Sequence, residues 1–197
     1  MSTAESERPE RPKWLERPMR ADARRNYDKI VATARAAFLE RDVDVPLDEI
    51  AKRAHVGPGT LYRHFPNRDT LIEAVYREEI TRLADRAYAL DDELPPEEAL
   101  FVWIRVQVRW QREVSGMTAT IKAVIDENSP TFAFCKQELR TAVGVLLKKA
   151  QQSGVVRADL EPVDLMRLTH GVGSASTYAD EEGTEKLLSV VLDGIRA

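Results

Sequence analysis

The stretch from Pro46 to Asp69 restricts the possible folds of this chain more than any other part of it. Its first half repeats apolar residues at spacings of three and four, which predicts one buried face of a short helix. These residues are Leu47, Ile50, Ala51 and Ala54. The pattern breaks at residues 55–59, HVGPG, which are too small and too turn-prone to continue a helix. A second short helix follows, with Leu61 and Phe65 four apart and facing inward. Two short helices joined by a tight turn predict a helix-turn-helix, whose second helix enters a DNA major groove.

The outward side of that second helix carries groups suited to DNA. Thr60 is small enough to contact base edges, including a thymine methyl group. Arg68 lies at the start of the next helix, where backbone N–H groups also attract anions. The candidate DNA-binding residues are Gly59, Thr60, Tyr62, Arg63, His64 and Arg68, with Arg24 and Arg25 near the start of the preceding helix. The alternative is a small three-helix core whose second helix presents an ordinary solvated face.

The run LDEIAKRAHVGPGTLYRHFPNRDTLIEAVY resembles the DNA-binding signature of the TetR family of bacterial transcriptional regulators. The resemblance covers roughly residues 24–76. It implies an all-helical homodimer, in which each subunit has an N-terminal three-helix DNA-binding unit and a larger C-terminal domain for dimerisation and effector binding. It also implies that Thr60 contacts a base and that Tyr62, His64 and Arg68 contact phosphates.

The chain departs from the family pattern in two places. His55 and Gly57 stand where members often have Gly and Ser, so the turn lacks a hydroxyl cap. Val45 and Pro46 replace a frequent Ser or Thr pair. The start of the first short helix is therefore without the hydroxyl that would contact a phosphate.

Composition agrees with an all-α protein. The 197 residues include ten Pro and nine Gly and contain no run with the period of two that marks a strand. The one cysteine, Cys135, excludes an intramolecular disulfide and fits a reducing compartment. No apolar run approaches the roughly 20 residues that a membrane span needs. Charged and proline residues interrupt the N-terminus, where a secretory signal would lie. We therefore expect a cytoplasmic protein without a membrane partner.

The net charge of −4 is unevenly divided. Residues 1–68 carry 14 Lys and Arg and 11 Asp and Glu, a net charge of +3. Residues 69–197 carry 15 and 22, a net charge of −7. Because DNA affinity depends on positive charge close to the phosphates, this division favours an N-terminal DNA-binding face and an acidic regulatory domain.

We predict three regions and about nine helices. Residues 1–19 form a flexible arm, which either reaches an adjacent minor groove or is a plain disordered tail. Residues 20–67 form the helix-turn-helix DNA-binding domain, and residues 68–197 the helical effector-binding and dimerisation domain. The first helix covers about 22–40, and the fourth covers about 68–89 and ends at a linker over residues 91–96. Later helices are predicted at about 97–114, 117–127, 131–153, 161–178 and 181–196.

The resemblance to the TetR family implies an effector pocket among the aromatic and small polar residues of the C-terminal half. Such pockets are mostly apolar with a few placed polar groups, a role suited to Gln107, His170 and Thr177. The predicted lining is Trp103, Gln107, Trp110, Met117, Ile121, Phe132, Cys135, Leu139, Val143, His170 and Thr177. The alternative is that the aromatic residues simply fill the helical core and that His170 is a core histidine.

The last two helices predict a symmetric dimer interface. Residues 170–176, HGVGSAS, have side chains small enough for helices to approach closely. The predicted interface residues are Gly171, Gly173, Ser174, Leu188, Val191, Leu192 and Ile195. The alternative is close packing within one subunit.

The leading functional hypothesis is a DNA-binding transcriptional regulator, a repressor that a small-molecule effector releases from a palindromic double-stranded operator. The first rival is an enzyme, but no nucleophile elbow, metal-ligand spacing, phosphate loop or paired-carboxylate motif is present. We accordingly predict no catalytic residues, no metal and no cofactor. The second rival is a helical protein-interaction module that has lost DNA binding.

Overall fold

The structure is a computed structural model that describes residues 20–41, 44–114 and 129–197. These residues form eight α-helices and no strand, and one isolated bridge joins Val156 to Arg196. The helices are α1 (Ala21–Arg41), α2 (Leu47–Arg53), α3 (Pro58–His64), α4 (Arg68–Glu93), α5 (Pro96–Glu113), α6 (Pro130–Gln152), α7 (Pro162–Ser176) and α8 (Glu181–Gly194). The all-α prediction is confirmed. The predicted arm at 1–19 and the predicted helix at 117–127 lie outside the described residues.

The described residues divide into two compact units. One takes in those of the ranges 10–79 and 116–133, and the other those of 80–115 and 134–197. The first, called here the N-terminal unit, contains α1 to α3 and the first part of α4. The second, the C-terminal unit, contains the rest of α4 and the later helices apart from the first residues of α6.

The core of the N-terminal unit confirms the predicted helix-turn-helix. Helices α1, α2 and α3 pack against one another. Their buried apolar residues are Ile30, Val31, Ala34, Ala37, Phe38, Ile50, Ala51, Ala54, Leu61 and Phe65. Because α2 and α3 have only seven residues each, they depend on this burial rather than on intrinsic helix stability.

The turn between α2 and α3 has a residue in the left-handed conformation. His55 has φ +54°, and it is the only non-glycine residue with positive φ among those described. Its N–H donates to the Lys52 carbonyl at 3.1 Å, and the Val56 N–H donates to the Ala51 carbonyl at 3.0 Å. These two bonds form the Schellman pattern that ends many helices, where glycine is the usual left-handed residue.

Replacing His55 with glycine is expected to stabilise the fold. The left-handed region costs an L-residue about 1–2 kcal/mol, and the greater freedom of glycine in the unfolded chain offsets part of that gain. We expect the free energy of unfolding to rise by about 0.5–1 kcal/mol in urea denaturation. His55→Val, which is β-branched, should lower it, and an equal response to both changes would contradict the expectation.

Helix α4 is longer than predicted, and the predicted linker at 91–96 is wrong for residues 91–93, which are helical. Leu90 is fully buried and continues the apolar side of the helix. Asp91 follows with only 2% of its side chain exposed, and Lys149 of α6 donates to its carboxylate at 2.6 Å. In the sequence, the acidic run at residues 91–93 resembles a solvated interruption between helices. In the structure, the Asp91 carboxylate pairs with Lys149, which lies 58 positions later in the chain. Only residues 94–95 separate α4 from α5.

Close helix packing in the C-terminal unit centres on Gly173. Helix α7 packs against both α5 and α8. A Cβ atom added at Gly173 would lie 2.5 Å from Cγ and 2.6 Å from Cβ of Gln111, so this crossing has no room for a larger residue. A Cβ added at Gly194, the last residue of α8, would have no atom of the described residues within 4 Å.

Gly173→Ala should therefore lower the free energy of unfolding by about 1–3 kcal/mol, because the added methyl overpacks the crossing and the clashing atoms lie near the Gln111 backbone. Gly194→Ala makes the same chemical change at an open helical position and should leave stability unchanged or raise it by up to about 1 kcal/mol. Thermal unfolding followed by circular dichroism compares the two. Equal tolerance of both substitutions would contradict the described packing.

None of the helices in the described part of the chain is both long and apolar enough to cross a membrane.

Candidate nucleic-acid interface

One side of helix α3 packs against the core of the N-terminal unit, and the other side faces solvent. Leu61 is fully buried, and Phe65, which follows the helix, is 2% exposed. The outward residues are Gly59, Thr60, Tyr62 and Arg63, of which Thr60 is half-buried and the others are exposed. We call these four residues the recognition surface. Its arrangement matches the prediction that Leu61 and Phe65 face the core while their neighbours face solvent.

The start of α3 has a defined geometry without a side-chain cap. Gly57 is the N-cap residue, with φ −67° and ψ 147°, and Pro58 occupies the first turn. The N–H groups of Thr60 and Leu61 donate to the Gly57 carbonyl at 2.9 and 3.2 Å. Gly57 has ordinary backbone angles, so the cap is missing because glycine has no side chain and not because the backbone is strained, as the departure from the family pattern predicts.

The end of α3 is held by an aromatic cluster. The Tyr27 ring of α1 lies 6.0 Å from the His64 ring, edge to face, and 5.2 Å from the Phe65 ring. Arg77 of α4 donates to the Tyr27 hydroxyl. Burial raises the pKa of the Tyr27 phenol, so this group stays neutral at physiological pH. His64, predicted to contact phosphate, is half-buried and positioned by α1.

The cationic candidates around α3 differ in their partners. Arg24 pairs with Asp28 at 3.3 Å and Arg25 pairs with Asp22, both on the exposed side of α1. Exposed pairs of this kind are weak, so either guanidinium can exchange its carboxylate for a phosphate at little cost. Arg68 opens α4, where Asn67 caps the helix by accepting from the Thr70 N–H at 2.9 Å.

Helix α2 begins without a hydroxyl. Pro46 is its N-cap residue and makes no side-chain cap, and Asp48 and Glu49 occupy the first turn. At the other end, Arg53 bonds to Glu49 of its own helix at 2.6 Å and to Glu40 of α1 at 2.9 Å. These bonds raise the pKa of the Arg53 guanidinium. Arg53 thus links α2 to α1 and is committed to carboxylates.

The predicted pocket residues occupy different surroundings. Trp103, Gln107, Cys135, Leu139 and Val143 are buried, whereas Trp110 and Phe132 are half-buried. His170 and Thr177 are exposed, and Met117 and Ile121 lie outside the described residues. The Trp103 indole N–H donates to the Leu83 carbonyl at 3.2 Å, so its polar atom is already used. Phe132 stacks on Tyr76 at 6.1 Å. The pocket stays a prediction.

The predicted dimer-interface residues also divide by exposure. Gly171 and Ser174 are exposed and Val191 is half-buried, whereas Gly173, Leu188, Leu192 and Ile195 are buried within the single chain. The large apolar residues that α7 and α8 expose are Leu168 at 39%, Leu187 at 37% and Val190 at 65%. Sequence reasoning did not pick out Leu168 or Val190. The interface itself stays a prediction.

The contacts that position His64 were also missed. Neither Tyr27 nor Arg77 was predicted to help position the end of α3. The two residues are 50 positions apart, and no local pattern marks them as partners. Among the described residues, no three His, Cys, Asp or Glu side chains are grouped to hold a metal ion.

A buried three-helix core that holds the second helix of a helix-turn-helix open to solvent, followed by a helical C-terminal unit, defines a helix-turn-helix transcriptional regulator.

Comparison with known proteins gives the same class. Residues 30–75 match the family described as bacterial regulatory proteins, tetR family, and residues 95–197 match the C-terminal domain of SbtR-like transcriptional regulators. The chain is 38% identical to the TetR transcriptional regulator SCO0520 from Streptomyces coelicolor, with a TM-score of 0.72 over 86% of this chain and 98% of that one. It is 34% identical to the TetR transcription regulatory protein from Mycobacterium vanbaalenii, with a TM-score of 0.73 over 91% and 100% of the two chains. It is 29% identical to the HTH-type transcriptional regulator UidR of Escherichia coli (strain K12), over 90% of this chain and 96% of that protein.

This chain belongs to the TetR family of transcriptional regulators. The resemblance seen in the sequence and the predicted regulatory function are confirmed at that level. Members of the family bind DNA and effector ligands and dimerise.

Proposed function

We propose that this protein is a homodimeric repressor that binds a palindromic operator and is released from it by a small-molecule effector. The observation that carries the proposal is the recognition surface, which faces solvent through three exposed residues and one half-buried residue and carries no acidic side chain. Two copies related by a two-fold axis would place two α3 helices in successive major grooves. Such a regulator acts where the chromosome is, in the cytoplasm.

Binding to DNA beside its own gene tests the proposal. Nuclease footprinting should reveal protection of two half-sites centred about 10 base pairs, or a multiple of that spacing, apart. Transcription from that promoter in vitro should fall as protein is added, and an increase would indicate an activator instead. If no fragment is protected at low salt, where phosphate contacts are strongest, the protein does not act through DNA.

The proposed interface between the two copies is the outward side of α7 and α8. Leu168, Leu187 and Val190 expose apolar area there, and Gly171 leaves room for a second helix. The predicted residues Ser174 and Val191 lie on the same two helices. Leu188, Leu192 and Ile195 would support this surface from beneath, because they are buried within the chain.

Val190→Asp should dissociate the proposed dimer, because it places a charge in a desolvated apolar contact. Sedimentation equilibrium should give a mass close to twice 22.3 kDa for the wild type and close to 22.3 kDa for the variant. Ser189→Asp adds the same charge at the neighbouring exposed position and should remain dimeric. A dimeric Val190→Asp variant would place the interface elsewhere.

The proposed effector site lies in the C-terminal unit around Gln107. This residue is 5% exposed, and its side-chain oxygen has no hydrogen-bond partner among the described residues. A buried acceptor without a partner costs roughly 1–3 kcal/mol, which a donor on a ligand would recover. A screen of small molecules by thermal denaturation should find compounds that raise the unfolding midpoint and weaken operator binding. Gln107→Met should reduce both effects of such a compound, and full retention of both would exclude Gln107 from the site.

A further inference from the structure

Unlike several other arginines of the N-terminal unit, Arg63 pairs with no carboxylate among the described residues. Arg24, Arg25, Arg35 and Arg53 each pair with a carboxylate. Within residues 20–41, 44–114 and 129–197, no hydrogen bond or ion pair involves Arg63. Its side chain is exposed on α3, and the sequence of that helix, PGTLYRH, contains no acidic residue. Nothing described in the fold therefore draws this cation away from DNA.

The position of Arg63 on the helix sets where the cation can reach. Side chains of an α-helix tilt toward its N-terminus, so a residue covers the turn that precedes it. For Arg63 the covered residue is Gly59, four positions earlier on the same row. A Cβ atom added at Gly59 would have no neighbour within 4 Å among the residues that the structure describes, which leaves the space above this turn open to them. The guanidinium can lie across Gly59, at the N-terminal end of α3, where helices of this kind meet base edges.

The absence of a side chain at Gly59 favours a base contact by Arg63 over a phosphate contact. Gly59 is the second residue of α3, where alanine would favour the helix more than glycine does, so the missing side chain calls for an explanation. A phosphate contact by Arg63 would not require a bare turn beneath it. A base contact would, because the backbone must approach the floor of the major groove closely.

We propose that Arg63 reads a guanine in each operator half-site, by donating two hydrogen bonds across Gly59 to O6 and N7 of the base. This pairing is the commonest specific contact between a side chain and a base. The assignment makes Arg63 a specificity-determining residue rather than one more phosphate ligand. It rests on the proposed operator binding, and the experiment keeps the two apart.

The test begins with selection of binding sites from a pool of random duplexes by the wild-type protein. Each guanine of the selected half-site is then replaced in turn by 7-deazaguanine, which lacks the N7 acceptor, and binding is followed by fluorescence anisotropy. At one guanine per half-site, the replacement should weaken wild-type binding roughly tenfold. Arg63→Ala should bind the normal and the modified duplex equally and should lose the preference for guanine at that position alone.

Two further variants sharpen the result. Gly59→Val keeps Arg63 but fills its path, and it should lose the same guanine preference. Arg109→Ala removes an equal charge from an exposed position on α5, in the other unit, and should change nothing. Since Arg63 is exposed, its variant should unfold at the wild-type temperature.

Uniformly weakened binding by Arg63→Ala, with a salt dependence reduced by about one counterion, would overturn the proposal in favour of a phosphate contact. Enrichment of a sequence that is insensitive to 7-deazaguanine at every position would also overturn it, while leaving operator binding intact. If the wild type enriches no sequence, both the operator proposal and this assignment fail.

Discussion

Replacing Leu61 with alanine is expected to lower the free energy of unfolding by about 3 kcal/mol. Leu61 is fully buried, and it anchors a helix of only seven residues. Removing a buried leucine side chain loses its transfer free energy and leaves a cavity that the surroundings close only in part. Because domains are stable by only about 5–15 kcal/mol, this loss is a large share of the total. Urea denaturation measures it.

The same substitution should weaken DNA binding, because a loosened α3 no longer presents a fixed surface. Tyr62→Ala is the matched control on the adjacent residue, whose side chain is 44% exposed. It should change stability by less than about 0.5 kcal/mol. It should nevertheless weaken DNA binding roughly tenfold, since a hydrogen bond to a charged group contributes about 1.5–3 kcal/mol. If Tyr62→Ala unfolds the protein while Leu61→Ala does not, the described orientation of α3 is wrong.

The second large effect concerns the ion pair between α1 and α4. Arg35 donates to the Glu79 carboxylate at 2.7 Å, and the side chain of Glu79 is only 3% exposed. Arg35→Leu takes away the cation while the carboxylate stays buried. Breaking a buried pair from one side destabilises by about 3–5 kcal/mol, and the partial exposure of Arg35 lowers our expectation to about 2–4 kcal/mol. Chemical denaturation of the variant measures this change.

The double variant Arg35→Leu/Glu79→Leu removes both charges. Its free energy of unfolding, compared with that of Arg35→Leu, distinguishes the destabilisation by a buried carboxylate that has lost Arg35 from the net contribution of the ion pair. With both charges gone, apolar side chains occupy the contact and most of the stability should return. Arg24→Leu breaks a pair on the same helix in which both side chains are 59% exposed, and it should cost less than about 0.5 kcal/mol. A single Arg35→Leu variant as stable as this control would contradict the description of Glu79 as a buried carboxylate that Arg35 stabilises.

The helix-turn-helix could be predicted because its signals are local. The spacing of Leu47, Ile50 and Ala54 marks α2, and the small residues from His55 to Gly59 mark the turn. The inward pair Leu61 and Phe65 then determines which side of α3 stays open. All of these signals lie within about 20 residues, so periodicity and turn chemistry suffice.

Features that depend on distant partners could not be predicted in this way. In the sequence, Asp91 belongs to a polar run that predicts a break between helices. Only its contact with Lys149, 58 residues later, explains its burial within α4. Gly173 was predicted as a residue of the dimer interface, with close packing within one subunit as the alternative. The closeness of Gln111 on another helix accounts for its small size within a single chain. The pairing of Tyr27 with Arg77 likewise exists only once α1 and α4 are packed together.

Selection of DNA sequences by the wild-type protein and by Thr60→Val, from the same random pool, tests most directly whether the recognition surface reads DNA. Thr60 is half-buried at the first turn of α3, and valine keeps its shape while removing the hydroxyl. We expect the wild type to enrich a palindrome of two half-sites and the variant to enrich the same spacing with an altered base at one position in each half. Identical enriched sequences from the two proteins, or no enrichment by the wild type, would contradict this expectation.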